Sequence, residues 1–334
     1  MLESPLVTIV VVNYNGAHFL PKLFASLAVQ TVRAFDLILV DNGSRDNSHA
    51  VAHALCAELQ IPFTLIVNDS NRGFATACNQ GFAQASGQWI ALLNNDAWTE
   101  PDWLAQMLAA SVRGDRVGMV AAKMLFASRP AMINSAGIAL DWAGIAWDWR
   151  GGMQDDVAEK DVVEIFGACG GAALYSRQML DEVGGYDDDF FIYLEDVDLA
   201  WRARLAGWRC VFQPQARVYH IHSATTGNNS PFKDGLLARN KIWVIVKDYP
   251  SPWLWLLLPI LLAYDSAAAI YRALSVRNLA AIRGRLTALR SLQRFWQKRR
   301  AIQRRWHNVD NWRSALHPLA SPVAILKRYA HLRG

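Results

Sequence analysis

The chain has 334 residues, of which 52% are apolar, and its formal net charge is +5 at pH 7. This length accommodates one large domain or two smaller ones, and the apolar content excludes an intrinsically disordered protein. The charge is uneven, because residues 270–334 contain 15 Lys and Arg but one acid, a net of +14, whereas the preceding part carries a net of −9. The sequence therefore predicts an acidic globular part followed by a basic tail.

The N-terminal segment and the cysteines indicate the compartment. The segment MLESPLVTIVVVNYNG has no basic region before its apolar stretch, which ends at Val12, so we expect no signal peptide. No C-x-x-C pair and no metal-ligand spacing connects the four cysteines, which are Cys56, Cys78, Cys169 and Cys210. We therefore expect buried free thiols and a reducing compartment.

Short apolar runs alternate with helical patterns in the N-terminal part. The runs predicted as strands are VTIVVV (7–12), LILV (37–40), FTLIV (63–67) and WIALL (89–93), with helix-like stretches at 17–30, 47–59 and 73–86 between them. Continuous apolar runs of this kind are typical of parallel strands that are buried on both faces. The alternation predicts a doubly wound, mostly parallel α/β sheet, in which ligands bind at the carboxyl ends of the strands.

Polar clusters directly follow several of these strands. Asp41 begins a D-N-G-S turn, where its carboxylate could accept hydrogen bonds from a base or ribose, although D-N-G-S is also a common turn. The N-N-D cluster after WIALL suits a hard cation held together with substrate phosphates, although Asp96 could instead cap the following helix. Near these strands the sequence has no G-x-x-x-x-G-K-[ST] or G-x-G-x-x-G, so it lacks the motifs of P-loop ATPases and dinucleotide-binding folds.

A second acidic cluster lies in FFIYLEDVDLAWRARLAGW (190–208). Glu195, Asp196 and Asp198 come where a loop is predicted to enter a helix, and a helix N-terminus keeps carboxylates ionised. Asp198 could pair with Arg202 at the i, i+4 spacing. Alternatively, all three acids could merely cap the helix, although one cap needs only one acid.

These motifs resemble those of a known family, the family 2 glycosyltransferases with the GT-A fold. The matching segments are VTIVVVNYNG, LILVDNGSRDNS, NRGFATACNQGFAQASGQWIALLNND, GACGGAALYSRQMLDEVGGYDDDFFIYLEDVDLAWRARLAGW and VYHIHSATTG, which cover about residues 5–245 in the family's order. The segment NND, where other members of the family have D-x-D, and the segment EDVDL look most like those of the bacterial rhamnosyltransferase branch. The resemblance implies inverting transfer of a sugar from a nucleoside diphosphate to an acceptor hydroxyl, with dTDP-rhamnose as the donor that this branch suggests.

The resemblance also implies roles for individual residues. It places the catalytic base at Asp196, with Glu195 orienting the acceptor or the base. It places ligands of a divalent cation, Mg²⁺ or Mn²⁺, at Asp96 and His220. His222, in the same H-x-H, shares the face of His220 if this segment is a strand, so the choice between the two histidines stays open.

A further set of residues in or near the matching segments is predicted to contact the nucleotide sugar. These residues are Asn13, Asn15, Asp41, Arg72, Asn94, Asn95 and Arg239. Arg72 in N-R-G and Arg239 in A-R-N-K are the basic residues expected to meet phosphate. A solvated surface position is an equally open explanation for Arg239.

The composition changes at about residue 231, which predicts a catalytic domain at 1–230 and a helical, membrane-associating region at 231–334. The apolar or proline run 252–264 is shorter than the roughly 18 residues of a spanning helix, so the sequence does not decide whether segment 252–271 spans or lies on a membrane. Tryptophans near this run and the Arg-rich helical pattern after it are typical of a helix on an anionic membrane surface. Nucleic acid could attract the same charge, but the adjoining apolar run favours the membrane, and we expect no nucleic-acid partner.

Two other functions explain parts of the pattern. A processive polysaccharide synthase of the same fold would need several spanning helices and a Q-x-x-R-W element, and QRRW at Gln303 is one residue short of that spacing. A non-catalytic sugar-nucleotide or glycan-binding module would not need Asp196 and Glu195 beside a metal cluster. The sequence therefore favours a glycosyltransferase, peripheral at the cytoplasmic face of the bacterial inner membrane, that acts on a glycan or polyprenyl-linked acceptor.

Overall fold

Parallel strands and the helices between them form the N-terminal half of the central sheet in the computed structural model, which describes residues 6–221, 230–275, 279–306 and 319. The elements are β1 (Val7–Asn13), α1 (Leu20–Ala28), β2 (Phe35–Asp41), α2 (Ser48–Leu59), β3 (Phe63–Val67), α3 (Phe74–Gln84) and β4 (Trp89–Leu93). β1 pairs in parallel with β2 and β4, and β2 pairs in parallel with β3. The four predicted strands are confirmed to within two residues at each end.

The second half of the sheet mixes strand directions. Its elements are β5 (Ala97–Thr99), α4 (Trp103–Ser111), β6 (Val117–Phe126), β7 (Arg129–Ser135), β8 (Ile138–Leu140), β9 (Ala146–Asp148), β10 (Val163–Ile165), β11 (Ala172–Ser176), α5 (Arg177–Val183), α6 (Glu195–Leu205) and β12 (Arg209–His220). β11 lies antiparallel between β4 and β6, while β12 is parallel to β6. The strand order is β10-β12-β6-β11-β4-β1-β2-β3, with β5 on β12 and β7 on β6.

Helices cover both faces of this sheet. α1, α2 and α4 pack on one face, with Phe24 and Trp103 in its core, and α3, α5 and α6 pack on the other, with Phe82 and Trp201 in its core. β1 is buried at nearly every position, which explains why its sequence shows no alternation of polar and apolar residues. All four cysteines are free thiols, as expected, and three of them are buried, whereas Cys169 is half-buried. The predicted α/β fold is confirmed.

Among the described residues, four helices follow the sheet: α7 (Pro231–Asp248), α8 (Ser251–Ser275), α9 (Ala280–Arg290) and α10 (Leu292–Arg305). Within the described residues, one helix segment, Ser251–Ile270 of α8, is long and apolar enough to cross a membrane, with a mean hydropathy of 1.7, and little of it is buried. The helix continues past the predicted apolar run. Its one acid, Asp265, is paired there with Arg285, whose Nε lies 2.7 Å from the carboxylate.

The basic helix α10 packs against α7 and against the segment that precedes α6. Phe295 is buried and stacks on Trp243, with ring centroids 4.3 Å apart. Lys298 Nζ lies 2.5 Å from Asp187 and 2.7 Å from Asp189. Cations of the tail are thus paired with acids of the globular part, so less charge is free for an outside partner than the net +14 suggests.

Candidate active site

A cavity of about 790 Å³ opens at the carboxyl ends of β1, β2 and β4. It lies between these strand ends, the loop before α6 and the first turn of α7. Parallel strands place their carboxyl ends at one edge of a sheet, which is why residues from distant parts of the chain meet there. The predicted site residues that line the cavity are Asn94, Asn95, Asp96, Glu195, Asp196 and His220.

Asn13 and Asn95 join the ends of β1 and β4. Asn13 is fully buried, and its Oδ1 accepts a hydrogen bond from Asn95 Nδ2 at 2.9 Å. A Cβ on Gly16 would lie 2.2 Å from Asn95 Nδ2 and 2.5 Å from Asn13 Oδ1, so a larger residue there would displace this pair of amides. Asn13 therefore positions Asn95 at the cavity, and its own contact with a donor stays a prediction.

Asp41 holds the D-N-G-S turn together. Its buried carboxylate accepts hydrogen bonds from the Ser44 hydroxyl at 2.6 Å and from Asn13 Nδ2 at 2.9 Å, and it lies 2.9 Å from His49 Nε2. Burial alone would raise the pKa of Asp41, but the hydrogen bonds from these three residues outweigh burial and hold the pKa below its ordinary value. The next residue, Asn42, lines the cavity. Contact of Asp41 with a base or ribose stays a prediction.

Other predicted contacts of the nucleotide sugar lie around the cavity rather than in its lining. The side chains of Asn15 and Arg72 are exposed, and Arg72 follows Asn71, which does line the cavity. Arg239 Nη2 donates to the Phe190 carbonyl at 2.9 Å, so the structure places this guanidinium against the loop that precedes α6. The contacts of these residues with phosphate or sugar stay predictions.

Asp96 and His220 form the pair predicted to hold a cation. Antiparallel pairing of β12 with β5 places His220 opposite Ala97, directly beside Asp96. As a result, Asp96 Oδ1 lies 3.1 Å from His220 Nε2. Two ligand atoms of one octahedral cation also lie about 3 Å apart, so this spacing fits a shared cation. His222 lies outside the described residues.

The imidazole of His220 contacts amides on both sides. Its Nδ1 lies 2.8 Å from Asn134 Oδ1, and its Nε2 lies 3.3 Å from Asn94 Nδ2. In the tautomer that donates from Nδ1 to Asn134, Nε2 is the nitrogen that can bind a cation beside Asp96. Metal-binding histidines commonly donate their second N–H to such a partner. In the part of the chain that the structure describes, no group of three His, Cys, Asp or Glu could hold a metal. This pair would therefore share a cation with the oxygens of a substrate phosphate.

Asp196 and Glu195 begin α6, and their surroundings raise the pKa of both carboxyl groups. Asp196 accepts hydrogen bonds from the Gly170 N–H at 3.1 Å and from the Val197 N–H at 2.8 Å. Burial, with a smaller contribution from Asp148, raises the pKa of Asp196 to about 6, so this carboxyl is ionised at neutral pH. Burial and the charge of Asp196 raise the pKa of Glu195 well above its ordinary value. Both carboxyl groups line the cavity, where Asp196 can accept a proton and Glu195, when protonated, can donate a hydrogen bond.

Asp198 is fully buried and does not line the cavity. Arg202 Nη2 lies 2.8 Å from its carboxylate, which confirms the predicted i, i+4 pair, and Lys247 Nζ lies 2.5 Å from it. Burial alone would raise the pKa of Asp198, but the charges of Arg202 and Lys247 outweigh burial and lower it. The three acids of the cluster thus differ in environment, and a shared capping role does not describe them.

The structure adds cavity residues that the sequence patterns do not indicate: Asn134 on β7, Asp148 on β9 and Lys233 in the first turn of α7. Within the described residues, Lys233 is the one lysine or arginine of the lining, and its Nζ lies 5.4 Å from the ring centre of Tyr193. β7 is exposed over its first three residues and buried over its last three, and β9 has three residues, so neither strand shows a regular alternation of polar and apolar residues. The Ser-Pro pair at 230–231 does signal a helix start and could have placed Lys233 in its first turn.

The fold and the acids at its ligand-binding edge define a glycosyltransferase with the GT-A fold. Residues 8–184, more than half of the chain, match the family model described as Glycosyl transferase family 2. The chain therefore belongs to glycosyl transferase family 2.

Similar proteins agree with this assignment. N-acetylglucosaminyl-diphospho-decaprenol L-rhamnosyltransferase of Mycobacterium tuberculosis is 26% identical over 279 residues, which cover 75% of this chain and 87% of that protein. Its similarity confirms the resemblance to the rhamnosyltransferase branch.

Two solved structures are similar in fold. GalNAc-T7 with UDP, GalNAc and Mn²⁺ has a TM-score of 0.60 at 18% identity, covering 74% of this chain and 48% of that one. Mannosyltransferase PcManGT from Pyrobaculum calidifontis with GDP-Man and Mn²⁺ has a TM-score of 0.55 at 19% identity, covering 93% of this chain and 88% of that one. At such identities the comparison establishes the fold alone.

Proposed function

We propose that this protein is an inverting, cation-dependent glycosyltransferase that transfers rhamnose from dTDP-rhamnose to a hydroxyl of a polyprenyl-linked glycan. The observation that carries the proposal is that Asp196 lines the same cavity as Asp96 and His220, which lie next to each other. Asp196 is ionised above about pH 6. The cavity thus combines a proton acceptor for a hydroxyl with ligands for a cation that binds a diphosphate. Inverting transfer needs both groups.

The proposed reaction is a single displacement. Asp196 accepts the proton of the acceptor hydroxyl while the oxygen of that hydroxyl attacks the anomeric carbon of the donor. The bond between this carbon and the diphosphate oxygen breaks, and its electron pair leaves with the nucleoside diphosphate. A divalent cation held by Asp96 and His220 would act as a Lewis acid on the departing diphosphate. Lys233 adds positive charge to the cavity, and protonated Glu195 can donate a hydrogen bond to the acceptor.

The donor and acceptor are proposed from the mycobacterial relative, whose name specifies an L-rhamnosyl group and an N-acetylglucosaminyl-diphospho-decaprenol. An acceptor of this class, an amino sugar on a polyprenyl diphosphate, would place the protein in cell-wall or surface-polysaccharide synthesis. Single addition is proposed over polymerisation, because one helix of spanning length occurs among the described residues and a processive synthase would need several.

A donor panel tests this proposal. The purified protein would be incubated with Mg²⁺, labelled nucleotide sugars and a soluble N-acetylglucosaminyl-diphospho-lipid analogue. We expect transfer from dTDP-rhamnose to be at least about tenfold faster than from UDP- or GDP-sugars, and the product to be longer by a single sugar. Faster transfer from another nucleotide sugar would contradict rhamnose as the transferred sugar. A ladder of products would indicate a polymerase, and binding without turnover would indicate a non-catalytic module.

We further propose that α8 attaches the protein to the cytoplasmic face of the inner membrane. Large apolar side chains of this helix are exposed, with Trp255 at 57%, Leu256 at 67% and Leu262 at 59%. Burying a leucine in lipid contributes about 1.5–3 kcal/mol, so a bilayer fits this surface. The proposal keeps the division of the chain, with the catalytic acids in 1–230 and the membrane-facing helices in 231–334.

Replacing Leu256 and Leu262 together by Asn is expected to weaken vesicle binding by at least about tenfold, because two apolar contacts with lipid are lost. Val112→Asn is the control. Val112 is also a large exposed apolar residue, at 79%, but it lies directly after α4 rather than on α8. Sedimentation with anionic and neutral vesicles across a salt series measures the effect. We expect a modest salt dependence, because Arg285 and Lys298 are paired within the chain. Equal binding of the double variant and the unmutated protein would contradict the proposal.

A further inference from the structure

The loop that precedes the catalytic acids, residues 190–194, has an unusual backbone. Positive φ values occur at non-glycine positions Phe191 (+67°), Tyr193 (+74°) and Leu194 (+65°). At Phe191 ψ is −63°, and the Ile192 N–H donates to the Phe190 carbonyl at 2.8 Å, which defines a rare and strained form of γ-turn. Backbones of this kind persist only where surrounding contacts hold them, and they concentrate at active sites.

The contacts on one side of this loop come from Asn240 in α7. Its side chain is fully buried, and its Nδ2 lies 3.1 Å from the carbonyl oxygen of Phe190, 3.0 Å from that of Ile192 and 2.7 Å from that of Tyr193. Its Oδ1 accepts a hydrogen bond from Arg239 Nε at 2.9 Å, which fixes the orientation of the amide. Because all three partners in the loop are acceptors, only a hydrogen-bond donor can take the place of Nδ2.

The other side of the loop contacts the start of α3. The Ala75 N–H donates to the Phe191 carbonyl at 3.1 Å. A Cβ on Gly73 would lie 2.5 Å from the Phe191 ring, so the loop approaches this backbone as closely as glycine allows. The loop is therefore held between a helix of the sheet domain and a helix of the C-terminal region, and Asp196 follows it by two residues.

We infer that Asn240 is a positioning residue for the catalytic base, because it holds loop 190–194 in the conformation that sets where Asp196 lies in the cavity. The loop also lines the cavity, through Phe191 and Tyr193 among others, so the same contacts shape the surface on which an acceptor binds. This inference rests on the proposed function. It gives the C-terminal region a part in catalysis besides membrane attachment.

Kinetics of Asn240→Leu test the inference. We expect kcat to fall by about 100-fold, because a displacement of a catalytic group by about 1 Å is enough for such a loss. The Kd for a nucleoside diphosphate is expected to stay within about threefold, because Asp96 and His220 keep their contacts. Asn240→Asp is the second variant, for use if Asn240→Leu does not fold. It keeps the shape of the side chain but loses the donor hydrogens, so we expect it to lower kcat as well.

The matched control is Gln213→Leu. Gln213 is a buried amide on β12 that is 4% exposed, bonds to the Gln106 carbonyl at 3.3 Å and does not line the cavity. We expect this variant to lose thermal stability as Asn240→Leu does while keeping its kcat. Unchanged kcat in both Asn240 variants, or kcat and donor affinity that fall together, would overturn the inference.

Hydrogen exchange separates this inference from the proposed function. The amides of Ile192 and Ala75 donate to carbonyls of the loop, and in Asn240→Leu we expect them to exchange at least about tenfold faster, with no change in Gln213→Leu. Unchanged exchange would overturn the inference whether or not sugar is transferred. Lack of transfer from any nucleotide sugar in the unmutated protein would instead remove the proposed function, and the exchange result would still decide whether Asn240 holds the loop.

Discussion

Asp196→Asn is expected to lower kcat for sugar transfer by about 10²- to 10⁴-fold and to leave donor affinity within about threefold. The reason is that Asp196 would contact the acceptor hydroxyl rather than the diphosphate, and an amide cannot accept the proton. Initial rates with a labelled donor and calorimetric titration of the nucleoside diphosphate measure the two effects. Full activity of the purified variant would remove the assignment of the base.

The pH dependence of transfer supplies a second measurement of the same residue. Asp196 must be ionised to act, and burial raises its pKa to about 6. We therefore expect kcat to approach its full value about one pH unit above that pKa, to be half-maximal near it and to keep falling at lower pH. Glu195→Gln is the matched control, because burial and the charge of Asp196 raise the pKa of Glu195, and an amide keeps the shape and the donor of a protonated carboxyl. We expect a smaller loss in this variant, with the fall below pH 6 retained. A larger loss than in Asp196→Asn would exchange the two roles.

Asp96→Ala and His220→Ala are each expected to weaken nucleoside-diphosphate binding by at least about tenfold and to abolish its dependence on Mg²⁺ or Mn²⁺. The atoms proposed as ligands, Asp96 Oδ1 and His220 Nε2, lie 3.1 Å apart, and the loss of either side chain would leave the cation with one protein ligand. Asn134→Leu should weaken the affinity for the cation by about 10- to 100-fold, because the His220 ring loses the partner of its Nδ1.

Calorimetry with the cation and with a chelator decides this second prediction. Asp148→Asn is the matched control, since Asp148 lines the same cavity but belongs to a different strand from the proposed ligands. It should keep the dependence on the cation, and it should bind the diphosphate no more weakly, because a negative charge is removed. Equal affinity of the unmutated protein under both conditions would mean that no cation takes part.

The net charge of the basic tail can be counted from the sequence, but the ion pairs that its cations form cannot. The Arg-rich pattern after residue 270 predicts a membrane-binding surface, yet Lys298 pairs with Asp187 and Asp189 in the segment before α6. These partners lie 111 and 109 residues earlier in the chain. Composition reports how much charge a segment carries, but the distance between paired charges in space depends on how the helices pack.

The sequence by itself determined the features that depend on neighbouring residues. Continuous apolar runs identified β1 to β4, and the polar residues that end them located the ligand-binding edge, because parallel strands place their carboxyl ends together. The spacing of Asp198 and Arg202 also predicted their ion pair, since residues four apart are neighbours on one face of a helix.

Only the tertiary structure decided what each polar residue does. Asn134 contacts His220 across 86 residues of chain, and Asn240 reaches the Tyr193 carbonyl across 47, which no local pattern indicates. Glu195 and Asp196 are adjacent carboxylic acids in the sequence. Folding buries Glu195 more deeply and leaves Asp196 hydrogen-bonded at the cavity, so different surroundings set their pKa values. Those surroundings exist only once distant segments have packed together.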